Sequence, residues 1–334
     1  MEIIRRRAYA RAGFVGNPSD GYHGKTIAMT IKQFFAEVTL YDWPKVEIVW
    51  SNDDQSSFES IGELAEDVEL HGYYGGVRLI KATIKRFYEY CKAKNIELHE
   101  RNFSIRYSTS IPRAVGMAGS SAIIVATLRS LMDFYHVNVP RHVQPSLALS
   151  VETIELGIPA GLQDRVVQIY EGLVAMDFAE SSMTIEDGME CGKYEHLDSS
   201  MLPPVYIAYS TEVGEPTYVA HNPLRARYNS GDPDVVNAMK ELARLTDTAR
   251  SAIEAGQADV LHQAIDKNFN IRASICTISQ SHINMIEAAR AVGASAKFAG
   301  SGGAIVGTYK DETMYRQLKS SLEKIHCKVI KPMI

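Results

Sequence analysis

The sequence predicts an α+β fold in two halves, and three observations predict it. The chain has 334 residues, 46% hydrophobic and 22% charged, which is ordinary for a globular protein of about two domains. Strand-like and helix-like segments intermix with no repeated βαβ rhythm, which argues against one doubly wound sheet. The stretch 179–204 is polar, punctuated by Gly and Pro, and without period. It divides a half at 1–180 from a half at 181–334.

Residues 3–16 mix apolar and basic side chains and end in glycines, which predicts a strand and then a loop. The segments 26–31, 34–40 and 46–50 are rich in β-branched and aromatic residues and predict a small antiparallel sheet. Val77, Ile80, Ile84, Phe87, Tyr88 and Cys91 recur every three or four residues, the mark of one apolar helix face. Phe103, Ile105 and Tyr107 alternate with polar residues as a half-buried strand does. A small-residue loop at 116–121 precedes an apolar helix at 122–131, and another helix is predicted over 145–156. A loop at 157–164 leads to a strand at 172–178. The second half reads as a strand at 205–209 and helices at 234–254, 258–278 and 281–292. A glycine loop at 300–303 follows, then a strand at 304–309, a helix at 313–325 and a strand at 327–331.

Charge and composition narrow the function. Thirty-five Lys and Arg against 40 Asp and Glu give a net charge of −5. A chain built to grip nucleic-acid phosphates carries an excess of positive charge. Cys91, Cys191, Cys276 and Cys327 form no C-x-x-C pair, and the histidines show no H-E-x-x-H spacing. Four scattered thiols suit reduced cysteines in a cytoplasmic protein. The longest apolar run, 122–128, falls far short of the ~20 residues of a membrane span. No apolar stretch follows the basic N-terminus, so no signal peptide is expected.

Four constellations carry the chemical signal. The strongest is Pro112, Arg113, Gly116, Met117, Ala118, Gly119, Ser120, Ser121 and Ala122, running into an apolar helix. A helix start exposes unpaired backbone N–H groups at the positive end of its dipole, and small residues let an anion approach them. A serine N-cap after a plain loop is the simpler alternative. Two better-known phosphate motifs fail. Gly24-Lys25-Thr26 mimics the end of a P-loop, but Ser19 stands where the first glycine belongs and a strand follows. Gly300-Ser301-Gly302 lacks the last glycine of a dinucleotide fingerprint, since Ile305 stands there.

The second constellation is Glu152, Gly157, Gly161 and Asp164. It places one carboxylate on a helix and one in the loop behind it. Two carboxylates near a phosphate loop suit a division of labour, one holding Mg²⁺ and one facing a hydroxyl. A helix cap and a solvated face would leave the same pattern. The third runs from Arg11 to Gly24, where four glycines permit unusual backbone angles and Asn17, Ser19 and Asp20 offer hydrogen bonds to a polyol. The fourth, Lys297 through Gly303, is a glycine loop before a strand, and a tight turn explains it equally well.

In this order the four resemble the motifs of the GHMP kinases, most closely those of the glucuronokinases. The similarity extends over nearly the whole chain. It is carried by GNPSD (16–20), HGYYGGVRL (71–79), the IPR and GSSAI block (111–123), ELGIPAGLQDRV (155–166), LVAMDF (173–178) and AKFAGSGGAIV (296–306). The resemblance implies a ribosomal-protein-like α/β N-terminal domain that binds ATP and a ferredoxin-like C-terminal domain. It implies ATP phosphates at 116–121, and Mg²⁺ held by Ser121 and Glu152, with Ser120 close by. Asp164 would be the carboxylate at the acceptor hydroxyl, with Arg11 beside it and the transferring phosphoryl.

Asn17, Asp20 and Gly302 would line the acceptor. Arg225 and Arg227, in a polar segment at 221–232, would read a sugar carboxylate, with Arg113 as competitor. The implied reaction is ATP-dependent phosphorylation of D-glucuronate at the anomeric hydroxyl. Another sugar or polyol (galactose, arabinose, a heptose phosphate) and a catalytically silent sugar sensor are the alternatives. The presence of Arg11, Ser121, Glu152 and Asp164 favours an enzyme. Two departures stand out. The loop G-M-A-G-S-S is one residue longer than the G-L-G-S-S of mevalonate kinases. Asn17-Pro18 replaces the Glu-His of galactokinases, which disfavours galactose.

Overall fold

Strand β1 (Ile3–Val15) pairs antiparallel with β2 (Lys25–Trp43) along almost its whole length. In this computed structural model, which describes residues 3–49, 75–211 and 222–334, that hairpin is the spine of the first half. On the other edge of β2, β5 (Leu173–Asp177) pairs with residues 25–29 and β4 (Asn102–Thr109) with residues 36–43. Helix α1 (Gly76–Ala93) and helix α2 (Gly119–Tyr135) pack on one another, and α2 packs on β1 and β2.

Several expectations are corrected here. The segments 26–31 and 34–40 are one strand. The pairing slips between Tyr9 with Phe35 and Ala10 with Ile31, so Lys32, Gln33 and Phe34 bulge out while the strand continues. The C-terminus pins the bulge: Lys32 N–H donates to the Met333 carbonyl at 2.8 Å, and Met333 N–H to Gln33 Oε1 at 2.9 Å. Of the strand expected at 46–50, only β3 (Glu47–Ile48) forms among the described residues; it runs parallel to β4, and residue 50 lies outside them. Tyr88 is 57% exposed, while Leu79 and Tyr90 are buried. At 3.6 residues per turn Tyr88 sits roughly 80° round the helix from Ile80, beyond the buried stripe.

The stretch 179–204 is not aperiodic. It holds β6 (Thr184–Glu186), β7 (Met189–Cys191) and β8 (Lys193–Leu197), and β8 adds to the first sheet beside β5. The helix expected over 145–156 is α3 (Gln144–Ser150) followed by one π-helical turn, Val151–Glu155. The loop expected at 157–164 ends early, because Asp164 lies in the first turn of α4 (Gln163–Tyr170).

The second half begins with β9 (Val205–Ser210). It sits between β11 (Ala304–Thr308) and β12 (Cys327–Ile330), with β10 (Lys297–Phe298) outside β11, all antiparallel. Five helices accompany this sheet among the described residues. They are α5 (Asn222–Asn229), α6 (Pro233–Glu254), α7 (Ala258–Ile275), α8 (Gln280–Arg290) and α9 (Glu312–Glu323). Asp232 and Asp311 cap α6 and α9 by accepting from the amides of Asp234, and of Thr313 and Met314.

One apolar core joins the halves. Ile27, Ile31 and Leu40 of the first sheet belong to the same buried cluster as Leu242, Leu245 and Ile265 of the second half. The four cysteines are free thiols, three of them buried. No described helix is long and apolar enough to cross a membrane.

Candidate active site

Helix α2 starts differently from the helices that Asp232 and Asp311 cap. No side chain caps it, and Ala118 before it is left-handed at φ 63°. Gly116 is also left-handed, at φ 69°. The turn therefore presents the first amides of α2, those of Gly119, Ser120 and Ser121, at the positive end of the helix. The Ala118 carbonyl accepts from Gln168 Nε2 at 2.9 Å, which fixes the turn to α4. Met117 and Ala122 are buried under the turn, Pro112 is half-buried, and Arg113 is exposed.

The second glycine loop closes on this turn. A Cβ on Gly300 would lie 2.2 Å from the Gly116 carbonyl oxygen and 2.9 Å from Arg11 Nη1, so only glycine fits. Arg272, buried on α7, holds the loop by donating to the carbonyls of Gly300 (2.6 Å) and Ser301 (2.9 Å). Gly302 stands against His282, 2.6 Å from where a Cβ would be.

Arg11 ties these pieces together from β1. Its Nε donates to Asp164 Oδ1 at 2.6 Å, and its Nη1 to the carbonyls of Gly116 (2.6 Å) and Ala299 (3.2 Å). The expected partnership of Arg11 and Asp164 is present as a direct ion pair. Arg165, the next residue, is buried; it pairs with Glu152 and donates from Nη1 to the Gly161 carbonyl at 2.8 Å. Asp164 Oδ2 lies 3.7 Å from Arg165 Nη1, outside hydrogen-bond range. The π-helical turn carries Glu152 inward, where its Oε1 accepts from Ser120 Oγ at 3.1 Å. Ser121 is buried, and its hydroxyl donates to the carbonyl of Ala118 at 3.2 Å. The structure thus brings Ser120, rather than Ser121, to Glu152.

The residues of the third constellation, expected at the acceptor, part in the structure. Asn17 is buried with its side-chain oxygen on Lys297 Nζ, and Ser19 is buried with its hydroxyl on the Lys25 carbonyl. Ser19 thus holds its own loop, whereas the Asn17 side-chain oxygen, expected at the acceptor, is engaged by Lys297 of the second half. Asp20 lies against the loop before α4: its Oδ2 would lie 2.8 Å from a Cβ on Gly161. Burial and the neighbouring Asp164 carboxylate push the Asp20 pKa up to about 6, against the pull of Arg11.

The two arginines of α5 part company. Arg225 donates to the Gly21 carbonyl at 2.6 Å and stacks on Tyr22, beside the Asp20 loop. Arg227 turns to Asp232 and the Ile275 carbonyl. These residues sit on a helix rather than in the expected polar loop. Residue 221 of that segment, like 71–74 of the HGYYGGVRL motif, lies outside the described residues.

Sequence reasoning missed Arg165, Arg272 and the role of Lys297. Lys297 is buried and donates to the Gly13 carbonyl (2.7 Å), the Asn17 side chain and the Phe298 carbonyl (2.7 Å). Burial lowers its pKa well below that of an ordinary lysine. The only signals were that Arg165 follows Asp164 directly and that Lys297 opens the glycine block.

Comparison with known proteins decides the family. Residues 78–172 match the family model described as GHMP kinases N terminal domain. Glucuronokinase 1 of Arabidopsis thaliana is 42% identical over 311 residues, covering 91% of this chain and 84% of the relative. The chain belongs to the GHMP kinase family. It is a phosphotransferase with an alcohol group as acceptor, an ATP-dependent sugar kinase. The probable glucuronokinase 2 of the same plant is 41% identical over the same shares. Among solved GHMP kinases, Lactococcus lactis galactokinase complexed with galactose superposes with a TM-score of 0.76 at 15% identity, covering 100% and 94% of the two chains. Methanococcus jannaschii mevalonate kinase gives 0.70 at 18%, covering 100% and 99%. Those two likenesses speak for the fold.

Proposed function

We propose that this GHMP kinase transfers the γ-phosphoryl group of ATP to the anomeric hydroxyl of D-glucuronate, giving glucuronate 1-phosphate and ADP. The observation that carries the chemistry is the Arg11 bridge. One guanidinium binds the acceptor-side carboxylate of Asp164 and the carbonyl of Gly116 in the phosphate turn. The acceptor rests on the 42% identity to an Arabidopsis glucuronokinase.

The open start of α2 receives the phosphates. Asp164 Oδ1 is engaged by Arg11, and Oδ2 is left to take the hydroxyl proton. The anomeric oxygen forms its bond to the γ-phosphorus, and the bond to the β–γ bridging oxygen breaks as ADP leaves. Phosphoryl transfer is mainly positioning and charge stabilisation, so holding Asp164 and the phosphate turn on one side chain is the central contribution. Asp20 lines the sugar side, with Arg225 beside it for the C6 carboxylate.

The donor set suits Mg²⁺. Ser120 Oγ and Glu152 Oε1 are oxygen ligands at the phosphate turn, and no described group of three or more His, Cys, Asp or Glu forms a cage. Mg²⁺ is held by one or two protein oxygens together with phosphates and water. When bound, it neutralises charge on the β- and γ-phosphates.

The test is ATP consumption by the purified chain with glucuronate, galacturonate, galactose, arabinose and mevalonate. Glucuronate should have the highest kcat/KM. Preference for a neutral sugar, or consumption with none of them, overturns the glucuronate assignment.

A further inference from the structure

The charged groups around Asp164 form a ladder. Ser120 donates to Glu152 and Glu152 pairs with Arg165. Arg165 faces Asp164 at 3.7 Å, and Asp164 pairs with Arg11. The middle rung, Arg165, has no place in the mechanism above. It is 3% exposed, among the most buried arginines of the chain. Its prongs point different ways: one nitrogen meets Glu152, and another donates to the Gly161 carbonyl at 2.8 Å. Gly161 in turn abuts Asp20. The same guanidinium also pulls the Asp20 carboxyl toward its ionised form.

We propose that Arg165 is the positioning residue that sets the metal-side carboxylate, Glu152, and the acceptor-side carboxylate, Asp164, in one register. The proposal rests on the kinase reading above. The physical reason is directional. A guanidinium is a planar fork that holds two acceptors at fixed angles, whereas an ammonium is a point charge on a flexible stem. Glu152 hangs from a π-helical turn and Asp164 from the first turn of α4, and these elements are separated by the loop 156–162. Arg165 clamps the two ends of that loop, with the loop's own Gly161 as a third point. At 3.7 Å it leaves Asp164 Oδ2 unbonded while offsetting the repulsion of Asp20. Arg11 acts on the other oxygen of Asp164, so each oxygen has its own guanidinium neighbour.

The experiment uses the full chain with Arg165→Lys, Arg165→Met, Glu152→Gln and the double variant Arg165→Met/Glu152→Gln. Thermal unfolding checks folding. Steady-state kinetics separate kcat from KM for the acceptor. Calorimetry with a non-hydrolysable ATP analogue, with and without Mg²⁺, reads the metal side and needs no acceptor, so it stands apart from the substrate assignment. Losing a charged hydrogen bond corresponds to about ten- to hundredfold.

Arg165→Met should lower kcat by at least that factor with acceptor KM within about threefold, and should cut the Mg²⁺ enhancement of analogue binding about tenfold. Arg165→Lys should recover part of the enhancement and leave kcat at least about tenfold low. In the double variant the two substitutions should be strongly non-additive. Overturning results are an Arg165→Lys enzyme indistinguishable from wild type, additive single effects, or an unchanged Mg²⁺ enhancement in a folded Arg165→Met. If Arg165→Met does not fold, Arg165→Lys decides alone. Wild-type analogue binding with no turnover on any acceptor would instead count against the glucuronate assignment.

Discussion

Asp164 has one oxygen bonded to Arg11 and the other held just beyond bonding range of Arg165. That asymmetry makes it the residue whose neutral isostere should matter most. Asp164→Asn should lower kcat by roughly 10²–10⁴-fold while nucleotide affinity stays near wild type, as steady-state kinetics and calorimetry would read. Asp20 makes a different prediction, on stability. Its folded pKa of about 6 is above the 3.8 of an ordinary aspartate. A raised carboxylate pKa contributes stability that is complete below pH 4 and is lost as pH rises through 6. Asp20→Asn should therefore be more stable than wild type at pH 8, by about 2 kcal/mol after allowing for its partial exposure. Urea unfolding at pH 8 and pH 4 checks this, and the gap should close at pH 4. Arg225 sits on the Asp20 loop and Arg227 does not. Arg225→Ala should cost glucuronate about ten- to hundredfold in kcat/KM relative to glucose, and Arg227→Ala should leave the ratio unchanged. Equal losses in the two variants would remove Arg225 from carboxylate recognition.

At the scale of elements, the first turn of α2 decides which hydroxyl meets Glu152. Successive helical residues point about 100° apart, so Ser120 and Ser121 cannot share a direction. Ser120 reaches Glu152, while Ser121 bonds back to the Ala118 carbonyl. Ser120→Ala should weaken Mg²⁺-dependent nucleotide binding about tenfold, the worth of a charged hydrogen bond. Ser121→Ala should change stability more than binding. Parallel titrations with and without Mg²⁺ distinguish them, and a larger Mg²⁺ effect in Ser121→Ala would reverse the assignment. The loop motif was legible in the sequence as small residues before an apolar run, but the choice between its serines was not. The left-handed Ala118 sets where the helix begins, and nothing in G-M-A-G-S-S announces that angle. The π-helical turn behind Glu152 is equally silent in sequence, because a one-residue widening of a helix leaves the apolar pattern of 145–151 intact.

Across the whole molecule, the two halves share a core and a set of polar clasps. Gly13 N–H donates to the Ala299 carbonyl at 2.7 Å, Lys297 to the Gly13 carbonyl at 2.7 Å, and Gly16 N–H to Asn268 Oδ1 at 2.6 Å. Thr246 donates to the Lys25 carbonyl at 2.9 Å. Cores that interlock in this way unfold together. Calorimetry should show one unfolding transition with agreement between calorimetric and van't Hoff enthalpies, and two separable transitions would contradict the shared core.

The α+β class and the small-residue turn before α2 were legible in the sequence itself, and the resemblance to the GHMP kinases pointed to Arg11, Glu152 and Asp164 as candidate site residues. The first two rest on local pattern, a hydrophobic period and a run of small residues, and the last on motifs shared with the family. Tertiary structure alone decided the rest. It merged 26–31 and 34–40 into one strand through a bulge pinned by residues some 300 positions away. It turned Asn17 inward onto Lys297, gave Ser120 to Glu152, and placed Arg165 between two carboxylates. The first is a contact between segments far apart in the chain, and the others depend on how neighbouring elements pack. Their side chains carry no local preference for one partner over another, so packing chooses among acceptors that the sequence leaves equivalent.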